Sequence, residues 1–375
     1  MQPLNGVRRF LLSGEGWPYL LVPFIPIAVV LELTHVSATI IFAASALGVI
    51  PTAALMGMAT EQLAARSGPG IGGFLNVTFG NAPELIIAFF ALNAGLQEVV
   101  KASLIGSILG NILLVMGAAM LIGGLKHKTQ FFDRTAASAQ AGMLLLAVVA
   151  LLLPAVFQLV QGGGLPGPAE ESKQFSGDLE TMSIAVAVVL LVTYLVGLLF
   201  SMRTHADLFN PHHDGHDEND LEPWTVRRAV IMLAIAGIAV GLMSEILVGS
   251  ISAASKDIGL SPFFVGLIVV AIVGNAAEHW VAILFAARNN MNLAVNISIG
   301  SSAQIALFVA PVLVLLSFAF GDFPMALVFN GFELAAVLLA VMIAIHVASD
   351  GESNWFEGLQ LLQVYVVMAI VFFFV

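Results

Sequence analysis

The chain has 375 residues, 59% of them hydrophobic and 10% charged, with mean hydropathy +0.99 and net charge −11. Soluble domains carry about 25% charge, so this chain cannot cover itself with polar surface and reads as a polytopic membrane protein, while its acidity argues against a nucleic-acid partner. The absence of cysteine excludes disulfides, thiolate metal sites and cysteine catalysis, though not zinc held by His or carboxylate.

In chain order, residues 1–17 form a short polar start, and the first apolar span covers 18–33 with Pro18, Pro23 and Pro26. No small-residue cleavage site follows it, so it reads as retained rather than as a signal peptide. Further spans are expected at 36–65, 70–95, 99–124, 134–158 and 180–203. The second half continues with 226–252, 261–288, 292–320, 325–348 and 354–375. Each is about 20 residues or more, enough to cross a bilayer as a helix. The runs lack strict alternation, so helices are preferred over a transmembrane barrel. The fold class is therefore all-α, with eleven transmembrane helices.

Lys and Arg orient the bundle. With a cytoplasmic N-terminus, inside segments hold Arg8, Arg9, Arg66, Lys126, Lys128, Arg134, Arg203, Arg227, Arg228 and Arg288. Outside segments hold only Lys101, Lys173 and Lys256, so the chain reads as N-in, C-out.

Two polar connections stand out. Residues 161–178, rich in Gly and Pro, read as a flexible outside loop. Residues 205–222 hold six acids and four of the eight histidines on the cytoplasmic side. The plain reading is a solvated linker. The functional one is a low-affinity divalent-cation collector built from Asp214, Asp217, Glu218, Asp220 and Glu222. Oxygen ligands favour Ca²⁺, and the histidines also suit zinc or nickel. The spacing is not that of an EF-hand.

The most informative stretch is Gly80-Asn81-Ala82-Pro83-Glu84, because Gly274-Asn275-Ala276-Ala277-Glu278 repeats it. Residues 80–117 align without a gap on 274–311 with 10 identities in 38, including Ile105-Gly106-Ser107 against Ile299-Gly300-Ser301. Upstream, Thr60-Glu61 resembles Ser244-Glu245, although the connecting loop differs by ten residues. The chain thus divides into 1–35 (N-terminal segment and span 1), 36–204 (first repeat, spans 2–6), 205–223 (acidic His-rich linker) and 224–375 (second repeat, spans 7–11). An odd number of spans per copy inverts the second copy in the membrane, which is a transporter architecture. One five-residue match alone would be no more than helix-packing glycines beside a polar residue.

A carboxylate within a span costs about 2.5–3.5 kcal/mol on insertion scales, so it is normally there for function. Pro83 lacks an N–H, so the carbonyl of Phe79 is expected to lose its helical partner and stand free beside Glu84. In the second copy Ala277 replaces Pro83, and a break there must rely on Gly274 and Asn275. Ser107, Asn111, Ser301, Ser302 and Gln304 are expected to add polar oxygens. Such a cage suits a hard cation wanting 6–8 oxygens, Ca²⁺ better than Mg²⁺. Two glutamates neutralise one Ca²⁺. Without it, two close carboxylates in a low dielectric cannot both stay ionised, so protons bind instead. Mutually exclusive occupancy is the physical basis of exchange. His279, next to Glu278, is either a packing residue or a participant in proton transfer. Glu61, near the cytoplasmic end of span 2, and Glu245, near the outer end of span 7, are candidates for two opposite access routes, or else helix-end residues at headgroup level. Asp133 is expected to pair with Arg134 or face water; Glu333 and Glu357 have no assigned role.

On these residues the chain resembles a calcium/proton antiporter of the cation exchanger family, within the calcium/cation antiporter superfamily. The two Gly-Asn-Ala motifs carry the resemblance, with Gly-Ser-Ile-Leu-Gly-Asn at 106–111, Gly-Ser-Ser-Ala-Gln at 300–304 and Asn354-Trp355-Phe356-Glu357-Gly358 in support. It implies eleven helices, an acidic segment between spans 6 and 7, and exchange at Glu84 and Glu278, with His279 matching the proton-coupled branch. Pro83 is a modest variation on the first motif. The resemblance also implies a short prokaryotic form in the plasma (inner) membrane, expelling cytoplasmic Ca²⁺ against inward proton flow, with no cofactor and with homo-oligomerisation left open. Competing readings are sodium coupling, exchange of Mn²⁺ or another divalent cation, a channel, and a membrane-embedded hydrolase. Sodium-coupled relatives carry more polar residues, and His279 argues for protons. No His-Glu-x-x-His or Gly-x-Ser-x-Gly is present to support a hydrolase.

Overall fold

The computed structural model describes residues 16–167, 175, 177–204, 224–320 and 323–375, with backbone alone at 68–71, 73 and 77. The acids of the 205–223 linker lie outside the described residues. All but two short strands of the regular structure is helical.

A single turn at Trp17–Leu21 leads into α1 (Phe24–Leu33). Together they make an apolar helix of at most 17 residues, shorter than a full span. Helix α2 runs Ala38–Gly80, and its part Ala38–Ser67 is long and apolar enough to cross a membrane. A straight helix holds residues eight apart at about 12 Å, yet a Cβ at Gly72 would lie 2.4 Å from the Ala64 carbonyl oxygen. The chain therefore doubles back there. The returning piece, Phe74–Gly80, bends by 41° into α3 (Ala82–Asn93). Then follow α4 (Gln97–His127), α5 (Arg134–Val160) and α6 (Gly177–Thr204). The second half holds α7 (Val226–Ile258), α8 (Pro262–Ala287), α9 (Met291–Leu316), α10 (Gly331–Asp350) and α11 (Trp355–Phe373). Among the described residues nine helices meet the length and apolarity of a span, and ten do if the bent pair counts as one.

Helices α4 and α9 are the most buried of the second to eleventh spans apart from α2, and their side chains form much of the core. Around them stand α5, α6, α7 and α11, whose outward faces carry exposed apolar side chains such as Leu146, Val189, Ile238 and Val367. That is the surface a helix shows to lipid, where apolar exposure carries no penalty. Helices α2 and α7 pack antiparallel: Thr39 hydrogen-bonds Asp257 at one end, and Arg66 Nε donates to the Trp224 carbonyl at the other. Helices α5 and α10 also run antiparallel, with Ser138 at the start of one against Ala348 near the end of the other. Strands β1 (Thr129–Phe131) and β2 (Glu352–Asn354) pair antiparallel and tie the α4–α5 link to the α10–α11 link.

Several helices depart from α geometry where polar residues gather. Wider π-turns occur at Gly110–Val115 in α4, Val265–Val270 in α8, and Asn296–Gly300 and Ile305–Val309 in α9. Such turns are uncommon and tend to mark functional sites.

Lys101 corrects the charge count. It is buried within α4, not in an outside segment, and its ammonium bonds Glu98 at 2.6 Å and the Val328 carbonyl at 3.0 Å. Glu333, also fully buried, closes a capping box with Asn330 at the start of α10. Asp133 caps α5 by accepting from the Ala136 N–H, rather than pairing with Arg134.

Candidate functional site

The first motif lies at a helix break. Asn81 leaves helical geometry, α2 ends at Gly80, and α3 begins at Ala82 with Pro83 in its first turn, where a missing N–H is harmless. Glu84 is thereby set in the first turn of a new helix, where the aligned N–H groups favour a negative charge. The carbonyl of Phe79 is not free, because it accepts from the Asn81 N–H in the turn. The second motif has no break: α8 runs through Gly274–Glu278 as regular helix, and its irregularity lies one turn earlier, at Val265–Val270. Ala277 keeps the N–H that Pro83 lacks, so nothing interrupts the ladder there.

The two motifs nevertheless face each other. A Cβ at Gly80 would stand 3.6 Å from Glu278 Oε1, and one at Gly274 would stand 3.8 Å from Glu84 Cγ. Each motif glycine thus makes room for the other motif's glutamate. Both carboxylates line one cavity of about 990 Å³, which extends to the bundle end marked by Glu61, Ser201, Met202 and Arg288.

Around the carboxylates the polar groups are held by one another. Ser301 Oγ donates to Glu278 Oε2 at 3.2 Å. Asn275, fully buried, donates to Ser107 Oγ at 3.1 Å and to the Ala271 carbonyl. Asn81 donates to Gln304 Oε1. Three buried oxygens are left with no hydrogen-bond partner in the protein: Glu84 Oε2, Asn81 Oδ1 and Asn275 Oδ1. Buried acceptors normally find a partner. Unpartnered oxygens of this kind fit an oxygen-ligated cation or a proton.

Not every expected residue joins this group. Ser302 turns its hydroxyl back to the Ser298 carbonyl of its own helix and is fully buried. Neighbours on a helix point about 100° apart, so Ser301 and Ser302 cannot both face the cavity. His279 points away from the cavity and meets Asn111 Oδ1 at 3.1 Å, on the π-turn of α4. Glu61 lines the cavity, whereas Glu245 does not. Glu245 stands about three turns before Asp257 rather than at the end of α7, so the two are not at mirrored depths.

Sequence reasoning missed Gln140 and Asn296, which line the cavity and hydrogen-bond each other at 2.5 Å. Each is a lone amide in an apolar span, a signal that was available. It also missed Asn76 and Tyr194, the latter bonding Thr78 at 3.4 Å on the same wall.

The sodium/calcium exchanger protein family matches residues 37–203 and 228–374, which is most of the chain and contains both motifs. The chain belongs to this family. It is 45% identical over 373 residues to a Ca(2+)/H(+) antiporter of Synechocystis sp., covering 94% of this chain and 96% of that protein. It is 44% identical over 351 residues to the Ca(2+)/H(+) antiporter ChaA of Bacillus subtilis, covering 93% and 96%. The structure of native YfkE superposes with a TM-score of 0.79 at 40% identity, covering 96% of this chain and 100% of that one. An H+/Ca2+ exchanger structure shares the fold at 14% identity, with a TM-score of 0.69 over 97% of this chain and 93% of that one. Family membership makes the chain an integral membrane protein of the cation-exchange class.

Proposed function

We propose that this protein is a secondary transporter, not an enzyme, that exchanges cytoplasmic Ca²⁺ for protons by alternating access at Glu84 and Glu278. The observation that carries the reading is the reciprocal placement of the motifs, with each glycine opening space for the opposite glutamate at 3.6–3.8 Å on the wall of one cavity. The relatives named as Ca(2+)/H(+) antiporters, at 43–45% identity over nearly their whole length, support the choice of ions. The antiparallel pairing of α2 with α7 and of α5 with α10 supports two inverted five-helix repeats preceded by one extra helix, eleven in all. The domain limits are those of the sequence: 36–204 and 224–375, joined by 205–223.

In this reading the cavity faces the cytoplasm, because Arg66, Arg203, Arg227, Arg228 and Arg288 collect at its end of the bundle. Glu61 draws cations in. Glu84, Glu278 and the oxygens of Asn81 and Asn275 replace the hydration shell of Ca²⁺, with Ser301 and Gln304 holding the liganding groups in place. Protons arriving from the other side neutralise the same carboxylates and release the metal, because a carboxylate cannot hold a proton and a cation at once. The acids of 205–223 act as a cytoplasmic collector.

Reconstituted vesicles test this directly. A pH gradient alone is expected to drive uptake of radiolabelled Ca²⁺, and Glu84→Gln or Glu278→Gln is expected to abolish it. Raising the proton concentration on the Ca²⁺ side should lower apparent affinity by competition. Unimpaired exchange in both glutamine variants would refute the site, and a requirement for sodium would refute proton coupling.

A further inference from the structure

The repeat gives every residue near the site a counterpart, so one structure contains both a closed and an open version of the same contact. Gly106 on α4 and Gly300 on α9 are counterparts, each followed by a serine. Gly106 is jammed against the backbone of α8: a Cβ there would lie 1.9 Å from the Leu267 carbonyl oxygen and 2.7 Å from its carbon. The contact is reciprocal, since a Cβ at Gly266 would lie 3.1 Å from the Val99 carbonyl oxygen and 3.3 Å from its Cα. Helices α4 and α8 thus meet backbone to backbone, with no room for a side chain, on the side of Glu84 away from the large cavity. Only a narrow pocket, bordered by Glu84, Ser103, Ser107 and Ala271, remains there, with space for about one water.

Gly300 is different. It lines the large cavity, and a Cβ there would meet only side chains: Asn296 Oδ1 at 3.2 Å and Gln140 Nε2 at 3.7 Å. No backbone faces it. Extending the repeat register upstream pairs Leu267 with Gly73 and Gly266 with Gly72, so the partner stretch on α2 again begins with a glycine. A residue that needs no side chain in an open cavity is unexplained by this conformation, because glycine in a helix costs about 1 kcal/mol relative to alanine. It is explained if the same face is covered in another one.

We infer that Gly300 is the landing surface of the cavity-side gate: α9 closes there onto the Gly72–Gly73 stretch of α2 when the Gly106–Leu267 contact opens. The two glycine contacts are made alternately. A side chain at Gly300 then props the cavity open without disturbing the conformation seen here, since only the mobile ends of Asn296 and Gln140 must shift. This inference rests on the alternating access proposed above and adds the residue that limits it.

The chain has no cysteine, so single thiols can be introduced cleanly. Val281→Cys, on the cavity wall, reports access from the cavity side to a membrane-impermeant thiol reagent. In the otherwise native chain the labelling rate is expected to fall at least twofold while Ca²⁺ and an opposing pH gradient drive turnover. Adding Gly300→Val is expected to abolish that protection and to reduce exchange at least tenfold. Exchange within twofold of the native rate, or protection that persists in Gly300→Val, would overturn the inference. Should Gly300→Val fail to fold, the Gly73→Cys/Gly300→Cys pair decides: a short bifunctional reagent should join them during turnover, and no product under turnover would overturn the inference. If the native chain itself shows no Ca²⁺/H⁺ exchange in these vesicles, the functional reading fails and not the gate.

Discussion

Asn275 Nδ2 donates to Ser107 Oγ at 3.1 Å, whereas its repeat counterpart Asn81 donates to Gln304 and not to Ser301, the counterpart of Ser107. Ser301 is instead engaged with Glu278. The two halves therefore use the same residues in different pairings, which is what one conformation of an inverted pair should show. Asn275 is fully buried and bridges α8 to α4. Asn275→Ala is expected to destabilise the protein by about 1–3 kcal/mol, since Ser107 is left without its donor. A lowered unfolding midpoint in detergent, together with impaired exchange, would match. An unchanged midpoint would show that the bridge is not needed.

Ser301 holds one oxygen of Glu278 at 3.2 Å. A hydrogen bond to a charged group is worth about 1.5–3 kcal/mol, and each 1.4 kcal/mol is tenfold in affinity. Ser301→Ala is therefore expected to raise the half-saturating Ca²⁺ concentration about tenfold in vesicle uptake. Ser302→Ala, whose hydroxyl only caps its own helix, is expected to leave it within about twofold.

His279 touches Asn111 and not the cavity. His279→Gln can keep a hydrogen bond to Asn111 and should leave Ca²⁺ half-saturation within a few-fold of native. His279→Leu strands the Asn111 side chain, whose Nδ2 already lacks a partner, and should lower stability by about 1–3 kcal/mol. A large loss of Ca²⁺ affinity in His279→Gln, with stability intact, would return this residue to the ion site.

Lys101 is the buried cation of a cluster far from the motif glutamates along α4. It pairs with Glu98 and holds the Val328 carbonyl, in the irregular stretch that leads to α10. Removing one partner of a buried pair costs about 3–5 kcal/mol, because the other charge is left uncompensated. Lys101→Met is expected to show that loss in thermal unfolding, with Glu98→Gln added in a double variant restoring part of it. Exchange per folded molecule should survive.

Deleting residues 207–220 removes most acids of the linker and leaves both motifs in place. Apparent Ca²⁺ affinity or activation is expected to change while exchange persists. Complete loss in a correctly inserted protein would make those acids part of the transport path.

The membrane class, the helical spans and the pairing of Glu84 with Glu278 follow from the sequence by itself. Apolar runs that long cannot be solvated, and a carboxylate is placed within one only at a cost that repetition makes deliberate. What a residue string does not carry is the direction a side chain takes from its helix and what it meets there. Ser301 and Ser302 are adjacent, yet a rotation of about 100° gives one a place on Glu278 and the other a bond to its own backbone. His279 follows Glu278 and faces another helix for the same reason. Lys101 reads as an outside charge until the fold brings Glu98 and Val328 to it. Phe79 reads as a freed carbonyl until the turn at Asn81 supplies a donor. Gly106 and Gly300 are one residue type in one motif, and only the packing of helices separates the closed contact from the open one.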